Sequence, residues 1–404
     1  MQRVHPVPGR SAPPAARTAA ARCGAAAAFL SLSLSLGLAA CGAAPDAADA
    51  GAVRVAAPDL TIGATDGDPA YLFGGISGVT TDSAGRIYVV DAQADEVRVF
   101  SDAGAFLFTI GRRGSGPGEL SGPCCPAFGP DGRLWIRDGG NARYNAYAVG
   151  DTAAEYVTGI RIQHGDANRW APLTFDSRGN LIDIGSTSGS EPIDFSLVRF
   201  HVNSAGTVVA RDVVPGRSDS LAVHVVLRTV GGRPTVGYIW QPYGTKHRVA
   251  YAPGGAWAEA LTSHYTVWWY DANGVLLRII RRDVEGPALS AEERQAAEED
   301  LRESARRFGV RPGDLPFDVP ERKGPIGWLY FDAAGRLWVE RSVADGEPRR
   351  ADVYGRTGAQ VATVEWPADV DLRSGYIGDG VMLGVARDTL GVQRVVRLRW
   401  EAAS

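Results

Sequence analysis

The stretch GGISGVTTDSAGRIYVVDAQADEVRVFSDAGAFLFTIG, residues 74–111, holds four short apolar runs separated by turn residues. Ile76 to Thr81 leads into Asp82-Ser83-Ala84-Gly85, and Arg86 to Asp91 follows with Ile87, Val89 and Val90 apolar. Glu96 to Phe100 alternates, with Val97 and Val99 on one face. Asp102-Ala103-Gly104 then turns into Phe106 to Ile110. β-branched and aromatic runs bounded by Gly, Asp and Ser clusters read as strands joined by hairpins. The stretch therefore predicts a four-stranded antiparallel sheet.

The chain beyond it copies this unit. Hairpins of one type carry Gly85, Gly132, Gly179, Gly255, Gly335 and Gly380, in segments such as TTDSAGRIYVVD, AFGPDGRLWIRD and YFDAAGRLWVER. A second type carries Gly104, Gly150, Gly206, Gly274 and Gly358 and alternates with the first. Glycine suits both, because tight hairpins need φ above zero. The first-type spacings are 47, 47, 76, 80 and 45 residues. A period of roughly 40–50 residues with four strands per unit is the signature of a propeller blade. Six hairpins of the first type and five of the second leave the last strand, Gln393 to Trp400, without an outer partner. Val53 to Ile62 has a strand pattern and no blade of its own. An open edge invites aggregation, so this segment is expected to pair with the last strand. The fold expected over residues 53–404 is all-β: a six-bladed β-propeller of four-stranded antiparallel blades, closed by the N-terminal strand, with one inserted α-helix.

Two spacings exceed the repeat. Within residues 214–246, Leu221 to Thr229 and Pro234 to Trp240 flank Gly231-Gly232 and read as an extra hairpin. Within 284–324, Ser290 and Glu293 form a capping-box pattern ahead of an apolar stripe of Ala297, Leu301, Ala305 and Phe308. That predicts an amphipathic helix, either lying on the propeller surface or covering one face as a lid.

The first forty residues stand apart. Arg3, Arg10, Arg17 and Arg22 precede a small, apolar run from Ala25 to Ala40, and Leu38-Ala39-Ala40 is followed by Cys41. A basic segment, an apolar segment and small residues before a cut define an export signal. Residues 1–40 are expected to be removed and residues 41–52 to act as a flexible tether. The four leader arginines leave 38 basic against 46 acidic residues beyond it. An acidic chain is a poor partner for nucleic acid, which calls for a basic face. Lys246 and Lys323 are the only lysines. The preference for arginine reads as genome composition.

IYVVDAQADEVRVF, residues 87–100, resembles the NHL-type repeat. There, an Asp follows the second strand and an Arg-hydrophobic pair lies in the third. Asp91 and Arg98-Val99-Phe100 fill those places, and Asp138 repeats the Asp, whereas Ile184-Gly185 and Glu340 depart from it. The ending Leu38-Ala39-Ala40-Cys41 resembles the bacterial lipobox, where the Cys is diacylated and becomes the new N-terminus. From residue 53 to 400 the chain is similar to the six-bladed β-propeller lipoproteins of bacteria. The protein is expected to be a monomer of the bacterial cell envelope, held by its lipid anchor in the outer membrane or facing the periplasm. The resemblance implies no activity.

Candidate chemistry is sparse. Gly111 to Gly118 lacks the Gly-Lys-Ser/Thr ending of a phosphate loop and reads as the link between blades one and two. Cys124 and Cys125 are adjacent, with Cα atoms about 3.8 Å apart, short of the usual range of about 4.4–6.8 Å for a disulfide. They read as small buried hydrophobes, as a strained bridge, or as a redox or metal pair at the channel. His164 and His247 fall beside predicted innermost strands and are candidate channel residues. Trp240 and Tyr243 in the extra hairpin are candidates for a binding surface for sugar or peptide. No GxSxG or Ser-x-x-Lys occurs, and no cofactor is indicated. Two functions remain: a binding or scaffold propeller for a peptide, glycan or envelope protein, or a metal-dependent hydrolase or lyase working in the channel.

Overall fold

In blades one, three and five the inner hairpin turn is built by an Asp side chain, Asp82, Asp176 or Asp332, that folds back on its own backbone. Asp82 accepts from Ala84 N at 3.0 Å and Arg86 N at 2.9 Å, and Gly85 follows at φ 79°. Asp176 repeats the arrangement with Arg178 N and Asn180 N, both 2.9 Å, ahead of Gly179 at φ 80°. A β-carbon at these positions would meet the strain of the left-handed region, so glycine is required.

The computed structural model describes residues 53–162, 172–186, 196–214 and 221–400. The leader and Cys41 lie outside them. The turns connect six antiparallel blades. Blade one comprises Ile76–Thr81, Ile87–Asp91, Glu96–Phe100 and Phe106–Ile110. Blade two follows with Pro123–Phe128, Leu134–Asp138, Arg143–Val149 and Ala154–Arg161. Blade three has Thr174–Phe175, Leu181–Ser186, Leu197–Val202 and Val208–Val214. Blade four has His247–Tyr251, Trp257–Leu261, Thr266–Tyr270 and Leu276–Arg281. Blade five has Ile326–Phe331, Leu337–Arg341, Arg349–Tyr354 and Gln360–Trp366. Blade six takes Val370–Ile377, Val381–Arg387 and Gln393–Arg399 from the end of the chain.

Its fourth strand is Ala57–Ile62, antiparallel to Gln393–Arg399, as the hairpin count predicts. The preceding residues do something the count does not predict. Val53–Val55 pairs in parallel with Gln360–Trp366 and becomes a fifth strand on blade five. The chain crosses between blades at Ala56, which is buried. Asp59 takes Arg397 at 2.8 and 3.0 Å and Arg399 at 2.6 Å, and Arg397 also reaches Asp102 of blade one at 2.6 Å. The first strand thus ties blades five, six and one together.

Among the described residues the core consists of six apolar clusters, one between each pair of neighbouring blades. Ile62 sits in the cluster that joins blades six and one, with Phe73, Val89, Phe100 and Val395. The cluster between blades three and four is small, and Arg199 fills that gap instead. It lies 5.9 Å from the rings of both Tyr251 and Trp257 and donates to Gly255 O and Ala272 O.

All inner strands run the same way, so every link from an outer strand to the next inner strand emerges on one face of the ring. The extra hairpin, Val223–Val230 and Arg233–Trp240, turns on Gly231 and Gly232 at φ 58° and 80° on that face. Helix α1, Ala291–Arg307, stands beside it with both halves of the Ser290–Glu293 capping box formed. Arg228 of the hairpin lies 5.0 Å over the Phe308 ring and donates to Arg307 O at 2.9 Å.

Removing residues 1–62 is expected to destabilise the whole propeller by about 5 kcal/mol or more, from the lost burial of Ile62 and the lost strand ladder. Removing only residues 1–52 is expected to leave the thermal midpoint within a few degrees. Calorimetry of the two truncations checks both; equal midpoints would sink the closure.

Candidate functional site

The first strand of each blade faces the ring axis. Where the six converge they line a cavity of about 740 Å³ that opens to solvent. Every blade contributes apolar residues to its wall, among them Val79, Phe128, Phe175, Tyr251, Trp328 and Leu372. Charged groups in the lining are few, and most have partners. Asp332 accepts from Arg336 Nε at 2.6 Å and Trp338 Nε1 at 3.0 Å. Asp176 accepts from His201 at 3.0 Å and Asn180 Nδ2 at 2.9 Å. Burial works to raise its pKa, but these hydrogen bonds win and hold it at about 2. Arg373 pairs with Asp371.

Arg248 differs. Its Nε donates to Gly327 O at 3.1 Å and its plane lies 4.0 Å from the Trp328 ring. Arg373 approaches the same ring at 5.6 Å. Burial, and next the charge of Arg373, push the Arg248 guanidinium down to about 10. Arg248 also lines a second pocket of about 460 Å³ between blades four and five, together with Tyr243, Lys246, Lys323, Glu340 and Arg349. In that pocket Glu340 is held by Tyr330 Oη at 2.5 Å and Arg349 at 2.9 Å. Lys323 pairs with Glu293 of α1 at 2.5 Å. The Lys246 ammonium rests 4.4 Å from the Trp240 ring. Burial, and next the charge of Arg248, push its pKa down to about 8.

His247 opens the inner strand of blade four and is among the residues lining the channel cavity. Its Nε2 is 2.7 Å from Glu259 Oε2, and Glu259 in turn accepts from Tyr270 Oη at 2.8 Å. His164 lies outside the described residues. Trp240 is half-buried against Lys246, while Tyr243 is 41% exposed at φ 56° on the rim of the second pocket.

Cys124 and Cys125 are bonded to each other, on a bulge of the inner strand of blade two. Cys125 sits at φ 60°. Both sulfurs face Arg137, whose Nη1 is 3.4 Å from Cys125 Sγ. Arg137 forms a fully buried ion pair with Asp183 of blade three, which also accepts from Tyr144 Oη. Burial pushes the Arg137 guanidinium down to about 10. The pair is thus a bonded corner beside a buried inter-blade salt bridge.

Among the described residues no three His, Cys, Asp or Glu side chains converge to hold a metal ion, and no helix is long and apolar enough to cross a membrane. Trp328, Arg248 and Arg373 escaped the reading of the sequence, because they look like ordinary strand residues. For Lys246 and Lys323 a signal existed. The two lysines of an arginine-rich chain line one pocket, which composition alone does not explain.

Residues 68–122 match the model of DUF5128, a family described as a 6-bladed beta-propeller. Curated proteins give no match. Among solved structures, the chain is similar to an exported protein from Bacteroides fragilis, at 12% identity over 86% of this chain and 99% of that one, with a TM-score of 0.47. It is also similar to virginiamycin B lyase from Staphylococcus aureus, at 9% identity over 84% and 98%, TM-score 0.41. A third is a calcium-binding protein, regucalcin, from Agrobacterium tumefaciens, at 12% identity over 87% and 99%, TM-score 0.37.

Replacing Arg137 by Met leaves Asp183 buried without its counter-charge and is expected to cost about 3–5 kcal/mol in urea unfolding. Pairing it with Asp183→Leu should recover most of that loss. Acetic anhydride labelling of Lys246, read by mass spectrometry, is expected to rise with pH to a midpoint at about 8, because the neutral amine is the reactive form.

Proposed function

We propose that the protein is a binding propeller, exported and lipid-anchored through Cys41 in the bacterial envelope, whose central cavity receives its ligand. The observation that carries this reading is the wall: apolar residues from all six blades around about 740 Å³. Burial of apolar surface yields roughly 25 cal/mol per Å², so such a cavity favours an apolar or aromatic body. A hydrophobic peptide side chain or an apolar small molecule suits it better than a glycan, whose hydroxyls would lose water without gaining partners. The carboxylates and the histidine of the lining support binding over turnover. Asp176 and Asp332 are spent on their own turns and His247 on Glu259. The leader pattern of residues 1–40, the Leu38-Ala39-Ala40-Cys41 junction and the acidic charge support the address.

Photolabelling with benzophenone, a neutral aromatic that inserts into C–H bonds, tests the cavity in the purified full-length chain. Label is expected on peptides carrying Phe128, Phe175, Trp328 and Leu372. Thr81 also lines the cavity, so Thr81→Trp should fill it and cut labelling at least fivefold with the thermal midpoint little changed. Label confined to the outer strands, or labelling indifferent to Thr81→Trp, would overturn the reading.

A further inference from the structure

The second pocket meets the channel at one residue. Arg248 lines both cavities. Lys246 stands two positions before it, just ahead of the strand, and both line the pocket between blades four and five. Neither the Lys246 ammonium nor the Arg248 Nη groups has a carboxylate partner among the described residues. Every carboxylate inside the pocket is otherwise engaged or lies at the exposed mouth: Glu340 holds Arg349, Glu347 accepts from Ala344 N at 3.3 Å, and Asp345 is exposed. Two cations are therefore held side by side, half-buried, with a face of Trp240 under one and of Trp328 under the other.

We infer that this pocket seats an oxyanion, a carboxylate or its sulfonate or phosphate equivalent, carried by the ligand whose apolar body occupies the channel. The inference rests on the channel being the ligand seat. Three features support it. Burial makes both charges costly as they stand, Arg248 repels Lys246, and Arg373 repels Arg248 against the attraction of Glu340, a cost an incoming anion relieves. The aromatic faces hold both side chains in place, so little rotamer freedom is lost on binding. Lysine stands here in a chain that otherwise uses arginine, and an ammonium offers a compact charge with three donors where a planar guanidinium would demand a fork-shaped partner. The ligand is then an amphiphilic anion, with its charged end toward blades four and five and its apolar end along the channel.

The test pairs benzophenone with 4-benzoylbenzoate, the same ring system bearing a carboxylate, on the full-length chain. The benzoate is expected to label the channel at about tenfold lower concentration than the neutral probe, the value of one charge-assisted hydrogen bond. Lys246→Met should remove most of that preference and leave benzophenone labelling unchanged. Lys246→Glu should reverse it, and Arg248→Met should weaken the benzoate more than Lys246→Met does. Equal labelling by both probes in the parent chain, or a preference that survives Lys246→Met and Lys246→Glu, overturns the anion seat while the channel reading stands. Failure of either probe to label the channel overturns both.

Discussion

A ring of separate sheets holds together only if every blade finds a neighbour on both sides. In a single chain the last blade meets the first without a covalent link. Here the link is supplied by a strand from residues 57–62 that belongs by sequence to the start and by hydrogen bonding to the end. Six inter-blade clusters then become one closed circuit, with no free interface. The ion pairs of Asp59 with Arg397 and Arg399 are partly exposed, and such pairs are individually weak. Their contribution is register. A strand slipped by one residue would turn Ile62 outward and separate Asp59 from both arginines.

Closure also explains where the molecule tolerates additions. The inner strands must converge, so the channel end of each blade is fixed by packing. The links on one face are not so constrained, and both long insertions lie there. The hairpin and α1 pack on each other through Arg228, Phe308 and Gly237, where a β-carbon would stand 2.3 Å from the Phe308 ring. The Glu293–Lys323 pair then ties α1 to the pocket between blades four and five. No residue of α1 lines either cavity among the described residues. The helix thus braces the pocket rim through Glu293.

What the sequence revealed follows from how local each feature is. Turns such as Asp82 to Gly85 are decided within four residues, and they repeat, so blade number and order could be counted. The closing strand was legible as a remainder in that count. The crossing at Ala56, by contrast, depends on how far apart two blade edges lie, and no local pattern of Val53 to Val55 encodes a parallel partner three hundred residues away. The Arg137–Asp183 pair was hidden for the same reason: neither residue departs from a strand pattern, and their partnership exists only across a blade interface. Trp240 and Tyr243 were visible as aromatics without an assigned core. Their link to Lys246 and Lys323 needed the ring.

Period-two alternation makes one strand serve two purposes. On His247–Tyr251, Val249 and Tyr251 turn toward blade three, while Arg248 and Ala250 turn toward blade five. The apolar wall and the cationic rim are therefore consecutive residues of one element, rigidly spaced. Apolar burial is non-directional and sets how tightly a body of the right volume is held. Paired cations are directional and set which way round it lies. A ligand that satisfied only the wall would tumble, and one that satisfied only the cations would be won back by water. On the proposed reading, a strand that presents both within two residues would select for molecules that combine an apolar body and an anionic end.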